Sequence, residues 1–188
     1  MTMKEKGSTE TVRLFEEKMA QGKYTEAAKI REDYSIPADM LQGSVEKEYH
    51  RLLRIGEPSI AADLARDYAL PDDLAKAAAA KSFRRKVDHE HYKAAAEYAK
   101  KFDLPPEMTR EAAVQAYHKS MDYGLAKNAA EIAVQFDLPD DMRIAAAEKA
   151  FFAHMDSGLY RKAQKIAEKY DLSEDLRREA ATKARGRS

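Results

Sequence analysis

Residues 136–139 read Phe136-Asp137-Leu138-Pro139, and this phrase returns along the chain at a constant interval, which makes it the strongest indication of the fold. Each copy has an aromatic residue, one variable residue, a leucine or isoleucine and a proline, 34 residues after the previous copy; the last copy has serine in place of proline. The other copies are Tyr34-Ser35-Ile36-Pro37, Tyr68-Ala69-Leu70-Pro71, Phe102-Asp103-Leu104-Pro105 and Tyr170-Asp171-Leu172-Ser173. A fixed period of roughly 20 to 50 residues is typical of stacked structural units that share one core.

Three further sequence positions keep the same interval without insertion. One position is always alanine, one is always aromatic and one is always acidic. They are occupied by Ala27, Ala61, Ala95, Ala129 and Ala163; by Phe15, Tyr49, Phe83, Tyr117 and Phe151; and by Asp39, Asp73, Glu107, Asp141 and Asp175. Agreement at several positions over five copies predicts a repeat protein.

Each repeat is predicted to hold one short and one long helix. Between residues 24 and 34, apolar residues recur at the spacing of one helix face. Proline disfavours helix in the residue before it, so the short helices are expected to end just before each proline. The acidic residue two positions later suits the positive end of the next helix, a long helix of about four turns such as residues 39–54.

The long helices are predicted to end at glycine and to be covered on two sides. Glycine adopts the left-handed conformation at little cost, as a helix end requires. Val45, Tyr49 and Leu53 fall on one side of a long helix, and a series of small residues falls on another. The terminating glycines are Gly22, Gly56, Gly124 and Gly158, and the small residues are Ser44, Ala78, Ala112 and Ala146. Both neighbours of a long helix are therefore expected to be helices.

We therefore expect an all-α fold, a right-handed α-solenoid of stacked antiparallel helix pairs with about eleven helices. Residues 1–188 are expected to form a single helical-repeat domain. Its predicted parts are an N-terminal unpaired helix over 1–21 and repeats over 22–55, 56–89, 90–123, 124–157 and 158–188.

Composition limits the classes of function. Lys and Arg total 33 and Asp and Glu total 33, so no net charge draws the whole protein to nucleic acid or to an anionic membrane. The absence of cysteine excludes disulfides and thiolate chemistry and is compatible with a reducing compartment, so we expect a cytoplasmic protein. No stretch approaches 18 apolar residues, and the charged N-terminus lacks the apolar segment of a signal peptide, so no membrane association is expected.

One motif resembles a known repeat family. The string Gly22-Lys23-Tyr24-Thr25-Glu26-Ala27 and its copy Gly158-Leu159-Tyr160-Arg161-Lys162-Ala163, together with the 34-residue period, resemble the tetratricopeptide repeat across the whole chain. The family's long helix usually opens with a bulky residue and a Leu-Gly pair, whereas this chain has Val45, Ala79, Ala113 and Ala147 there. The resemblance implies a divergent scaffold that holds a peptide segment or partner domain in a concave groove lined by one helix of each pair.

The long helices carry a candidate partner-binding surface, which we call the long-helix face. Pairs of residues at i and i+3 share a stripe of a helix and repeat with the period. The members are Arg13, Lys47, His50, Lys81, Arg84, His118, Lys149 and Phe152. Cationic and ring-bearing side chains in one series suit a protein or peptide partner, in particular an acidic peptide. The same side chains also suit a solvated surface that only keeps the protein soluble.

Two further functions remain open. The basic series of the long-helix face could follow a phosphate backbone, and so could a C-terminal stretch rich in Arg and Lys, although cations near a helix end also complement its dipole. That stretch holds Arg177, Arg178, Lys183, Arg185 and Arg187. A structural or designed repeat protein without a ligand would show the same regular duplication.

No catalytic motif or cofactor motif is visible. The chain has no Gly-rich phosphate loop, no Gly-x-Ser-x-Gly elbow and no His-Glu-x-x-His, so we expect neither an enzyme nor a cofactor. The segment Asp88-His89-Glu90-His91 holds residue types that bind metals, but histidines at i and i+2 point apart on a helix. A polar turn between helices is the interpretation we favour, with no metal site.

Overall fold

The computed structural model describes residues 9–186, and this range holds eleven α-helices and no β-strand. Helices of ten and seventeen residues alternate between α2 and α10, joined by connections of three or four residues. The helices are α1 Thr9–Ala20, α2 Tyr24–Asp33, α3 Ala38–Arg54, α4 Pro58–Asp67, α5 Asp72–Asp88, α6 Tyr92–Lys101, α7 Pro106–Asp122, α8 Ala126–Gln135, α9 Asp140–Asp156, α10 Tyr160–Lys169 and α11 Glu174–Arg185. The predicted all-α helical-repeat fold is confirmed, and the first part of the predicted helix 1–21 lies outside the described residues.

The chain divides into two compact units. Unit 1 comprises Met1–Arg85 with Phe102–Leu104, and unit 2 comprises Lys86–Lys101 with Pro105–Ser188. In unit 1, α1 packs against α2 and α3, and α3 packs against α4. In unit 2, each helix from α6 to α11 packs against the next one. This consecutive packing is what helical repeats produce, while the single domain over 1–188 and the right-handed sense stay predictions.

The short helices end at a left-handed residue inside the aromatic-x-Leu-Pro phrase. The variable residue of the phrase has a φ near +50° in every copy, for example 50° at Asp137. The next residue, Leu138, donates its backbone N–H to the carbonyl of Ala133 at 2.9 Å and buries its side chain. This is a Schellman motif. Helix α8 therefore ends at Gln135, before the aromatic residue, and not just before Pro139 as the sequence had led us to expect.

The long helices end in the same way, as predicted. Gly22, Gly56, Gly124 and Gly158 have φ between 70° and 80°, and Glu90 takes the same conformation with φ 56° in the copy that lacks glycine. At each end the residue after the left-handed one bonds back to the helix, as Leu125 N does to Ser120 O at 2.8 Å. Both connections of a repeat therefore use the same backbone turn, in which a left-handed residue is followed by a residue that bonds back to the helix.

The predicted core positions are buried. The invariant alanine of the short helices is fully buried in all five copies, and the aromatic position of the long helices is buried in every copy from Phe15 to Phe151. The small-residue series is also buried except at Ser44, which is half-buried. One assignment was wrong: Leu52 is buried and Leu53 is only half-buried, so the buried side of α3 is turned toward Leu52 at this end of the helix.

Two of the core tyrosines also bind backbone. The Tyr49 hydroxyl donates to the Leu74 carbonyl at 2.9 Å, and the Tyr117 hydroxyl donates to the Met142 carbonyl at 2.8 Å. Each bond joins a long helix to the first turn of the next long helix in its own unit. In the intervening copies the same position holds phenylalanine, which has no hydroxyl. The hydrogen bond is therefore additional to the packing of the aromatic ring.

The left-handed residues offer a direct test of the helix ends. Ala69 has φ 53°, where its Cβ is unfavourable, so Ala69→Gly should raise the free energy of unfolding by about 0.5 to 1 kcal/mol. Gly124 has φ 71° and no atom within 4 Å of an added Cβ, so Gly124→Ala should lower it by about 1 kcal/mol through backbone strain alone. Urea unfolding followed by circular dichroism measures both, and a destabilised Ala69→Gly protein would contradict the assigned conformation.

Candidate functional site

All eight side chains of the long-helix face are exposed to solvent. Unit 1 contributes Arg13 on α1, Lys47 and His50 on α3, and Lys81 and Arg84 on α5; unit 2 contributes His118 on α7 and Lys149 and Phe152 on α9. Within residues 9–186, no ion pair is found for the four Arg and Lys side chains that unit 1 contributes. In unit 2, Lys149 donates to the Met121 carbonyl at 3.3 Å.

The exposed rings of this face rest on the buried aromatic residues. His50 stands edge-to-face on Tyr49, with 5.2 Å between ring centroids, and Phe152 stands in the same way on Phe151 at 5.3 Å. The His118 ring does so on Tyr117 at 5.4 Å. Such edge contacts are favourable for aromatic rings. They hold the exposed rings in one orientation, which lowers the entropy lost when a partner binds.

A groove between α1 and α3 brings Arg13 and Lys47 together. The α1–α3 groove has a volume of about 660 Å³ and is lined by four cations and three carboxylates, besides smaller side chains. The charged lining residues are Arg13, Lys47, Arg51, Arg54, Glu16, Glu17 and Glu48. The other members of the long-helix face in unit 1 do not line it. In unit 2, His118 lines a smaller groove of about 430 Å³ beside Lys119 and Tyr123.

A buried carboxylate lies at the floor of the α1–α3 groove, and the sequence analysis missed it. Glu48 is only 4% exposed. Arg51 holds both of its oxygens, with Nε donating to Oε2 and Nη2 donating to Oε1, each at 2.7 Å. The Tyr24 hydroxyl also donates to Oε1 at 2.7 Å. The repeat itself could have pointed to Glu48, because the matching positions of the other long helices hold the small residues Ser82, Ala116 and Ala150.

The three groups of this cluster shift one another's pKa. Burial raises the pKa of the Glu48 carboxyl, but the hydrogen bonds from Arg51 and Tyr24 outweigh it, so the net pKa lies below the ordinary value. Burial and the bond to Glu48 raise the pKa of Tyr24 to about 12. The hydrogen bond to Glu48 likewise raises the pKa of Arg51. At neutral pH the cluster is a carboxylate, a guanidinium and a neutral phenol.

A second groove lies between the short helices α2 and α4, and it too was missed. It has a volume of about 830 Å³ and a largely apolar lining that includes Ile60 and the Tyr68 ring. The Arg31 guanidinium lies 5.3 Å from the centre of that ring. Ala28, which the sequence pattern placed on the buried side of α2, is exposed and lines this groove. Ala28 therefore faces the groove and does not belong to the core.

The Asp88–His91 segment forms a turn between α5 and α6. The rings of His89 and His91 lie 6.3 Å apart, and the Glu90 carboxylate pairs with Lys119 at 2.9 Å. Within the described part of the chain, no three His, Asp or Glu side chains come together as metal ligands would. The observed contacts agree with a polar turn.

The basic C-terminal helix is largely paired within itself. Arg177 pairs with Asp171, Arg178 pairs with Glu174 at 3.1 Å, and Lys183 pairs with Glu179 at 2.7 Å. These cations are less available to nucleic acid than their number in the sequence indicated. Arg187 lies outside the described residues.

Across residues 9–186, every helix is either too short or too polar to cross a membrane.

The Glu48 cluster predicts a pH-dependent stability. The folded state lowers the Glu48 pKa from 4.5, so its stabilising effect is complete above that value and disappears as pH falls through the folded pKa. Glu48→Gln should lower the free energy of unfolding by about 1 to 2 kcal/mol at neutral pH, and the difference from wild type should vanish in acid. Urea unfolding at several pH values tests this, with Glu111→Gln as the exposed control. A difference that persists unchanged in acid would contradict it.

Comparison of this chain with protein-family models, with curated proteins and with solved structures finds no match. The resemblance to tetratricopeptide repeats therefore stays a hypothesis that rests on the sequence motifs alone.

Proposed function

We propose that this chain is a non-enzymatic interaction module that binds an acidic peptide segment of a partner protein on the long-helix face. The observation that carries the proposal is the set of exposed cations on α1, α3 and α5 without ion pairs in the described residues. A surface that served only solubility would gain from pairing them with nearby carboxylates, as Lys76 does with Asp72 and Lys119 does with Glu90. A tetratricopeptide-like scaffold would use its helical surface in this way.

The order of the helices supports a binding role. A partner that docks on helices already packed in place does not have to order the protein backbone, so little conformational entropy is lost on binding. The His50 ring in unit 1 and the His118 and Phe152 rings in unit 2 make edge contacts, and each adds apolar area to the face within its own unit. Arginine, present here as Arg13 and Arg84, is among the residues that most often dominate the binding energy of protein interfaces. A cytoplasmic location stays a prediction.

Charge reversal on the long-helix face tests the proposal. The probe is a fluorescein-labelled oligoglutamate peptide, and binding is measured by fluorescence anisotropy. Lys47→Glu, Lys81→Glu and Arg84→Glu combined should weaken binding by about tenfold or more, since each exposed cation contributes on the order of 0.5 kcal/mol. The matched control reverses Lys29, Lys93 and Lys165, which are exposed on short helices, and should change the affinity less than about threefold.

Equal losses in the two variants, or no binding by wild type, would contradict the proposal. Nucleic-acid binding is tested in parallel with a labelled oligothymidylate. Tighter binding of the oligonucleotide than of the peptide, with an affinity that falls steeply as salt rises, would favour nucleic acid as the ligand.

A further inference from the structure

Helix α3 departs from the other long helices at two positions that meet in the α1–α3 groove. The buried position 48 of α3 holds glutamate. The other helices of seventeen residues hold small residues at the matching position. The exposed position 54 holds Arg54, where those helices hold Asp88, Asp122 and Asp156. Both Glu48 and Arg54 line the groove. In a repeat protein the common positions maintain the fold, so a local departure from the repeat calls for a separate explanation.

Arg51 departs from the repeat in what it contacts. In the next two copies the matching cation closes a turn: Arg85 donates to the Gly56 carbonyl at 2.6 Å, and Lys119 donates to the Glu90 carbonyl at 3.1 Å. Arg51 instead donates to Glu48 through two parallel bonds. The buried carboxylate has thus drawn Arg51 away from the structural contact that this position makes elsewhere.

The contact with Glu48 leaves part of the Arg51 guanidinium available. Nε and Nη2 are engaged by Glu48, and the Tyr24 hydroxyl on the same carboxylate also interacts with the guanidinium. The side chain is 40% exposed, so Nη1 can reach a ligand in the groove. A guanidinium fixed on two nitrogens by a buried partner is preorganised for an anion on its remaining edge. Tyr24 donates to the same carboxylate, so it is a positioning residue that acts on Arg51 through Glu48.

Positive charge converges on this edge. Lys47, Arg51 and Arg54 stand at i, i+4 and i+7 and so share one side of α3, and Arg13 lines the groove from α1. Lys47, Arg54 and Arg13 form no ion pair within the described residues. Three cations without ion pairs beside the Arg51 guanidinium favour an anion with more charge and more acceptor oxygens than one carboxylate has. A phosphoryl group offers a charge of about −1.5 to −2 and three acceptor oxygens.

We propose that the α1–α3 groove binds a phosphorylated side chain of a partner peptide, with Arg51 as the anchor that Glu48 and Tyr24 position. The proposal rests on the proposed binding role of the long-helix face and adds the chemical group that this part of the face recognises.

The α1 wall of the groove favours a single phosphoryl group over a nucleic-acid backbone. Glu16 and Glu17 line this wall, and each already accepts a hydrogen bond, from Ser44 and from Gln21 respectively. A continuous series of phosphates would have to pass these carboxylates. One phosphoryl group held against α3 avoids them, and the remainder of a peptide carries no such charge.

The test uses the full chain and inorganic phosphate as the first probe. Nuclear magnetic resonance of the 15N-labelled protein follows the arginine Nε–H signals and the amides of α1 and α3 as phosphate is added at constant ionic strength. Arg51→Lys keeps the charge and loses the two-pronged contact, so the phosphate affinity should fall by about tenfold or more. Arg85→Lys is the matched control at the same repeat position and should change the affinity less than about twofold.

Further probes identify the source of the phosphoryl group. A blocked Gly-phosphoserine-Gly peptide should bind at least as tightly as phosphate and should perturb the same signals, and its unphosphorylated form and acetate should bind about tenfold more weakly or worse. The proposal is overturned if wild type shows no saturable phosphate shift, if Arg51→Lys and Arg85→Lys behave alike, or if acetate equals phosphate. It is also overturned if oligothymidylate binds this groove more tightly than the phosphopeptide.

The two proposals fail in different ways. If wild type does not bind oligoglutamate but binds phosphate in a way that depends on Arg51, the acidic-peptide proposal is rejected and the phosphoryl-site proposal stands. Oligoglutamate binding that depends on the long-helix face, without a phosphate response, would remove the phosphoryl site alone. Urea unfolding of the Arg51→Lys variant checks that this variant is folded under the conditions of the binding experiments.

Discussion

The structure depends on a backbone constraint that recurs twice in each repeat: a helix must end at a left-handed residue so that the next residue can bond back and turn the chain. In the aromatic-x-Leu-Pro phrase this bond carries a leucine into the core, as Leu172 N does by binding the Ala167 carbonyl. Where glycine is missing, the conformation persists at Glu90 and at Ala69. The packing of neighbouring helices outweighs the backbone strain at these residues.

A regular framework makes its exceptions informative. The small and the aromatic core positions of the long helices keep their residue type because these side chains fill the space between neighbours. Glu48 breaks this pattern with a charge that would be costly to bury without Arg51 and Tyr24. Alanine at the matching position of other repeats shows that the fold does not need the charge. This departure from the repeat is the reason why we propose a binding role for the cluster in addition to its contribution to stability.

Electrostatics in this protein are local. The formal net charge is zero, yet the exposed cations of α1, α3 and α5 stand without ion pairs in the described residues, while the basic C-terminal helix is paired within itself. A count of Lys and Arg along the sequence treats the two regions alike. Only their neighbours distinguish them, because an i, i+4 carboxylate neutralises Arg178 and Lys183, and none serves Lys47.

The helical repeat, its 34-residue register, the core alanines and aromatics and the exposed side chains of the long-helix face follow from the sequence, because periodicity states directly which residues share a side of a helix. The sequence places Arg51 three residues from Glu48 on one helix, but the structure was needed to show that Glu48 is buried, that Tyr24 donates to it from α2 and that Ala28 lines a groove. Periodicity assigns residues to sides of a helix, whereas burial and contacts between helices depend on how far the helices stand apart and on which side chains fill the space between them.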